Sequence, residues 1–293
     1  MSKIVCMAST ILALCVSQVA FGGTWYVDGS VSDSGDGTTW ETAFKAIQEG
    51  IDAASDGDTV IVAEGTYNET IYLYGKNIVL RSRDPLDADV VANTIIDGDR
   101  GGSVVTFDGS ENGTCVLSGF TVQNGNASIG GGIHGAGLAG TATHATIENN
   151  VVTSNWAADW GGGLAFCDGV IQNNRISDNE CSDCAGLYAC DGLIQNNVIS
   201  RNAATPGGGG ALGLCGGIIR NNLIALNSAA YGGGLMGCCG IIQNNTIVGN
   251  SGGGGGGGLF ACAGTTENCI IWGNTASSFP QVAVLSQPTY SCI

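Results

Sequence analysis

From residue 147 onward an apolar-polar-Asn-Asn signature returns along the chain. Ile147-Glu148-Asn149-Asn150 is followed by Ile171-Gln172-Asn173-Asn174, Ile194-Gln195-Asn196-Asn197, Ile219-Arg220-Asn221-Asn222 and Ile242-Gln243-Asn244-Asn245. Thr266-Glu267-Asn268-Cys269 is a degenerate sixth copy, and the steps are 24, 23, 25, 23 and 24 residues. Five positions after the start of each copy stands an apolar residue (Val152, Ile176, Ile199, Ile224, Ile247, Ile271), and eight after it an asparagine (Asn155, Asn179, Asn202, Asn227, Asn250, Asn274). Seven before each of the last five copies is a leucine (Leu164, Leu187, Leu212, Leu235, Leu259). Three after each leucine is a cysteine (Cys167, Cys190, Cys215, Cys238, Cys262).

A period near 24 predicts one coil of a parallel β-solenoid, built of three short strands and three turns. A leucine-rich repeat needs several leucines per unit, and helix-pair repeats are longer and poor in glycine. Equivalent residues then stack about 4.8 Å apart along the axis. The Ile, Val and Leu columns fill the interior. Asn149, Asn173, Asn196, Asn221, Asn244 and Asn268 open each Asn-Asn pair. Asparagine tolerates the left-handed backbone of a sharp bend, and its stacked amides can bond from coil to coil, so these residues are expected to form an asparagine ladder. A looser coil precedes the regular ones, from Leu117 through Ile133 to Ile147, and residues 135–145 are expected to protrude.

Ahead of the coils the pattern changes. Thr38-x-x-Glu41 reads as a capping box, and Phe44, Ile47, Ile51 and Ala54 follow at helical spacing. This predicts an amphipathic helix over residues 40–54, placed to cover the apolar end of the solenoid. Short strands are expected at Thr24–Val27, Thr59–Val62, Ile71–Tyr74, Asn77–Leu80, Thr94–Ile96 and Val104–Phe107, with a turn at Gly65-Thr66-Tyr67. The last strands, Gln281–Leu285 and Pro288–Ile293, leave an open coil end, which reads as a truncated C-terminus. The domain reading is a signal peptide at 1–22 and one β-helix domain at 23–293. Within it, 23–112 forms the cap and first coils, and 113–293 the regular coils.

Composition sharpens this picture. The 293 residues include 50 glycines, 4 prolines and 44% apolar residues. Collagen is excluded, because there is no Gly-X-Y period. The glycine runs lack a following helix and a P-loop lysine, so they do not read as a phosphate site. The net charge of −16 excludes nucleic acid and anionic lipid as partners. Most of it lies in residues 23–112, with 17 acids against 5 bases. Lys3, a broken apolar run from Ile4 to Ala20 and Ala20-Phe21-Gly22 read as a cleavable export signal. No later stretch is apolar enough to span a bilayer. The chain is therefore expected to be exported: extracellular, at the cell surface or periplasmic. Of 13 cysteines, 11 follow residue 22, so at least one is left without a partner inside the chain.

Gly23-Thr24-Trp25-Tyr26-Val27-Asp28, Gly35-Asp36-Gly37-Thr38-Thr39-Trp40 and Gly57-Asp58-Thr59-Val60-Ile61-Val62 resemble the opening of exported bacterial right-handed parallel β-helix proteins of the pectin-lyase-like superfamily. Thr94-Ile95-Ile96-Asp97-Gly98 and the repeated Ile-x-Asn-Asn coils extend the resemblance over residues 23–293. It implies an all-β, right-handed parallel β-helix. Polysaccharide lyases of this kind use Ca²⁺-holding acids and a Lys or Arg base, and the hydrolases a cluster of aspartates. No Asn-Thr-Asp or Arg-Ile-Lys motif for either is visible here.

Candidate chemistry is sparse. Asp168 and Asp191 share a repeat position on adjacent coils and could act as acid and base, with Arg201 nearby as a cation. Arg201 also aligns with Asp178, which reads as a surface ion pair. Trp156, Trp160, Tyr188, Tyr231 and Phe260 lie near the turn-to-leucine corner and could stack on sugar rings. Asp28, Asp33 and Asp36 share a glycine-rich loop where Ca²⁺ is the only cofactor suggested. The cysteine column reads as core packing, as thiols or as disulfides. Short turns without cleft walls favour a non-catalytic, exported or cell-surface scaffold that binds polysaccharide. A carbohydrate-active enzyme, lyase or hydrolase, is the alternative, and an adhesion or surface-assembly module the second.

Overall fold

The computed structural model describes residues 22–135, 141–284 and 287–293. The segment read as an export signal lies outside the described residues apart from Gly22, as does the tip of the expected loop after Ile133. The chain winds as a parallel β-solenoid with four sheets of ten, nine, seven and nine strands. Each return to the same sheet is a parallel crossover, the connection that takes the right-handed sense, so the coil is that of a right-handed parallel β-helix.

The predicted columns set the register. Ile147 pairs with Ile171 in the first sheet, and Ile194, Ile219, Ile242 and Thr266 continue the column. In the second sheet Val152 pairs with Ile176, and Ile199, Ile224, Ile247 and Ile271 follow. The fourth sheet stacks Ile133 on Leu164, then Leu187, Leu212, Leu235 and Leu259. These side chains are fully buried save Thr266, which is almost so.

The coil has four strands, one more than the pattern predicts. The extra sheet runs through Trp156–Trp160, Glu180–Asp183, Ala203–Gly208, Ser228–Tyr231 and Ser251–Gly255, the stretch read as a glycine-rich turn. Its inward residues are small: Ala157, Cys181, Ala204 and Ala229 form their own buried cluster with Ala185. Without bulky residues at period two, the strand leaves no hydrophobic signature.

Every corner carries a left-handed residue. The first asparagine of each pair has φ between 53° and 57° (Asn149, Asn173, Asn196, Asn221, Asn244, Asn268). The second corner is made by Ser154, Asp178, Arg201 and Leu226 and the last by Phe166, Ala189, Leu214 and Ala261, all at positive φ. The amide ladder therefore belongs to other residues than expected. Asn149 and its equivalents make the bend and are exposed or half-buried. The following asparagine turns inward: Asn150, Asn174, Asn197, Asn222 and Asn245 form one buried column, and Asn155, Asn179, Asn202, Asn227, Asn250 and Asn274 a second. Asn197 is representative. Its Oδ1 accepts from the Asn174 backbone N–H (2.9 Å) and from Asn174 Nδ2 (3.1 Å). Its Nδ2 donates to the Ile171 carbonyl (2.8 Å) and to Asn222 Oδ1 (3.1 Å).

At the N-terminal end, helix α1 spans Ile47–Ala53, shorter than the expected 40–54. The Thr38–Glu41 capping box does not form, because Asp36 Oδ1 takes the Thr38 N–H, the Thr38 hydroxyl and the Thr42 hydroxyl into a turn. The helix is capped instead by Glu69, which accepts from the N–H groups of Ile47 and Gln48, while Glu49 accepts from that of Ala46. Ile47, Gly50 and Ile51 are buried against the first strands. Gly50 is required there: a Cβ would lie 2.8 Å from Val60 Cγ1 and 2.9 Å from Val27 Cγ2. Gly65–Asn68, read as a turn, is a strand paired with Thr94–Asp97. A second helix, α2 (Ala88–Asn93), has no forerunner in the sequence reading; Asp87 caps it. At the other end Val282–Ala283 pairs with Leu259–Phe260, and Thr289 and Cys292 bridge to Glu267 and Ile270.

Asn197→Ala orphans the buried Asn174 N–H and the Ile171 carbonyl together, so we expect a loss of about 3 kcal/mol. Asn196→Gly, one residue earlier, keeps the left-handed bend and costs less than about 1 kcal/mol. Urea unfolding of both variants checks this; equal losses would refute the division of labour within the pair.

Candidate functional site

The stacked aspartates each hold backbone through one carboxylate oxygen. Asp168 and Asp191 follow the cysteine column at the corner between the fourth and first sheets. Asp168 Oδ1 accepts from the Asp191 N–H (2.8 Å), and Asp191 Oδ1 from the Gly216 N–H (2.5 Å). They splice one coil to the next, as the asparagines do. Arg201 lies at the diagonally opposite corner, between the second and third sheets, so the three residues do not converge. Arg201 instead forms a two-pronged pair with Asp178, Nε to Oδ1 and Nη2 to Oδ2, both at 2.7 Å. That hydrogen bonding holds the Asp178 carboxyl below its ordinary range.

The aromatic residues split into three groups. Trp160 stacks on Tyr188 at 5.4 Å, and Phe166 meets Tyr188 edge-on at 5.5 Å. Tyr231 packs on Phe260 at 5.1 Å, one face exposed. Trp156 stands apart, 40% exposed. The acidic loop is used internally: Asp28 accepts from the Ser30 N–H and hydroxyl, and Asp36 from Thr38 and Thr42. Asp28, Asp33 and Asp36 do not come together, and among the described residues no three His, Cys, Asp or Glu are placed to hold a metal ion.

All eleven described cysteines are free thiols, and nine are buried. Those of the column donate to the carbonyl two residues back, as Cys167 does to Ala165 (3.4 Å) and Cys190 to Tyr188 (3.4 Å). Burial pushes the Cys181 thiol up to about 11 and Cys115 up to about 12, which suppresses the reactive thiolate.

One surface region combines an aromatic face with polar groups. Trp156 and Glu180 are paired neighbours on adjacent strands of the third sheet. They line two adjoining depressions. One, of 240 Å³, is completed by Arg100, Ser154, Asn155 and Asp178. The other, of 370 Å³, is completed by Cys181, Ser182, Ala203 and Thr205. Beyond them the same outward column continues with small residues, Ala203, Ser228, Ser251 and Thr275. The result is a shallow trough along the solenoid axis. Its N-terminal end is walled by Arg100, which the left-handed Asp99-Arg100 turn lifts from the preceding coil. Arg100, Ser154, Glu180 and Thr205 were not singled out in sequence. Trp156 and Glu180 do share one repeat position, nine after Ile147 and Ile171; that signal was present. Arg100 comes from an irregular coil and leaves none.

Comparison of the chain with family models, with curated proteins and with solved structures finds no match.

Two outcomes follow. Of the cysteines after residue 22, we expect only Cys239 and Cys292 to react quickly with a thiol reagent in the native protein, since these two are exposed; the rest become reactive on unfolding. Fast labelling that survives Cys239→Ser with Cys292→Ser would refute the buried thiol column. The Asp178–Arg201 pair is half-exposed, so solvent screening keeps its contribution small. Because the folded carboxyl titrates below its unfolded value, that contribution is complete above about pH 4 and disappears as pH falls below it. The Tm difference between the wild type and Asp178→Asn should shrink correspondingly on acidification.

Proposed function

We propose that this chain is an exported, surface-displayed β-helix scaffold of the pectin-lyase-like kind that binds polysaccharide along the trough of its third sheet. The observation that carries the reading is the pair of adjoining depressions sharing Trp156 and Glu180. An indole face that is partly exposed offers a stacking surface for the apolar side of a sugar ring. Around it Glu180, Asp178, Ser154 and Thr205 supply acceptors and hydroxyls suited to sugar hydroxyls, and Arg100 supplies donors. The two depressions follow one another along the third sheet, which suits an extended chain rather than a compact ligand. Of the charged groups beside it Asp178 is tied to Arg201, so the carboxylates there do not form the free acid–base pair that turnover needs.

Retention on immobilised neutral and uronic-acid polysaccharides, with product analysis in the same samples, tests this. We expect retention on at least one of them without new reducing ends or unsaturated product. Trp156→Ala should weaken it by at least about tenfold, the loss of one stacked ring. No retention on any polysaccharide would overturn the binding reading and leave an adhesive or assembly module. Turnover would make the chain a lyase or hydrolase.

A further inference from the structure

The two depressions of the trough differ in charge. The 240 Å³ depression has Arg100 at its end and Asp178 in its wall, and Asp178 is committed to Arg201 through both carboxylate oxygens. The 370 Å³ depression is lined by Trp156, Glu180, Cys181, Ser182, Ala203 and Thr205, so Glu180 is the one formal charge in its wall. Glu180 is exposed, and its carboxylate has no ion-pair or hydrogen-bond partner among the described residues. Arg100, across the neighbouring depression, does not pair with it. Registered pairing sets Glu180 directly beside Trp156 on the next strand, about 4.8 Å away. Its neighbour on the other side is Ala203, too small to cover it. The same strands add further acid. Asp159 is exposed on the Trp156 strand, and Asp183 follows on that of Glu180, its Oδ1 taken by the Gly208 N–H (2.8 Å).

An unpaired carboxylate beside an open indole face suits a cation. The carboxylate accepts a charge-assisted hydrogen bond from an ammonium, and the ring face attracts the same charge through its quadrupole. A neutral sugar hydroxyl engages either group more weakly, and a uronate meets like charge at Glu180. We infer a narrower ligand class, which rests on the reading of the trough as a polysaccharide site: a polysaccharide of amino sugars that carry free ammonium groups. One ammonium sits between Trp156 and Glu180. Ser182 and Thr205, lining the same depression, offer hydroxyls to the ring. The small Ala203 leaves room for the next sugar along the solenoid axis.

Titration calorimetry of the full chain with three soluble hexamers of one β-1,4-linked backbone tests this: glucosamine, N-acetylglucosamine and glucose. The glucosamine hexamer should bind at least about fivefold more tightly than either neutral one, the sum of an exposed ion pair and an exposed cation–π contact. Glu180→Gln should cut that preference to about twofold and leave the Kd of the neutral hexamers within about twofold of the wild type. Trp156→Ala should weaken all three. A chain of net charge −16 attracts any polycation, so Glu41→Gln, an exposed acid on the N-terminal cap, is the control and should leave the preference unchanged. Equal affinity for the three hexamers would overturn the assignment, as would a preference that survives Glu180→Gln or falls as far with Glu41→Gln. Each of these leaves the polysaccharide-binding reading in place. Binding to none of the hexamers also overturns the assignment, and retention on the neutral and uronic-acid panel then decides separately whether the trough binds polysaccharide at all.

Discussion

At each corner of the coil the backbone turns too sharply for the strand ladder to run on, and the polar groups left there must find partners inside the protein. The buried asparagine amide answers this at two corners. It uses both hydrogens and its oxygen in a single stack, bonding the backbone of the coil before and the amide of the coil after. Each column is closed at its ends by other groups. Phe120 and Gly125 offer N–H groups to Asn150 and Asn155 at one end, and the Gln281 side chain takes the place of the next asparagine after Asn274. The narrow interior, with one large apolar side chain per strand in three of the four sheets and small residues in the other, is possible because the asparagine amides satisfy the backbone at two corners.

The same requirement explains where the acids went. Asp168 and Asp191 accept from backbone N–H groups of the next coil, as the asparagine oxygens accept from those of the coil before. Glu69 does it for α1. Acidic residues in this fold are first of all acceptors for a backbone short of partners. Carboxylates stacked one coil apart are therefore a poor guide to catalysis here.

The period, the three apolar columns and the strands Thr24–Val27 and Thr59–Val62 were legible in the sequence, because bulky residues at fixed spacing report burial directly. The third sheet was hidden, since Ala157, Ala204 and Ala229 are too small to stand out among glycines. Which asparagine bends and which turns inward was also hidden: both sit in one dipeptide, and only φ separates Asn196 from Asn197. At the second corner Ser154, Arg201 and Leu226 accept positive φ without being residues that advertise it. In the trough, Trp156 was legible as an outward aromatic and Glu180 by its repeat position. Arg100 and α2 belong to coils with insertions, where periodicity has nothing to say.

The amide columns also have a direction. Each coil offers its Asn N–H and Nδ2 to the oxygen of the coil that follows, and receives that coil's Nδ2 on a carbonyl. A finished coil thus presents at its C-terminal edge a fixed set of donors and acceptors, spaced for one more Asn-bearing strand. Every such contact spans only 23 to 28 residues in the regular coils, so closing it carries nearly the same modest loop entropy each time. The order in which a chain leaves the ribosome is the order in which these templates become available.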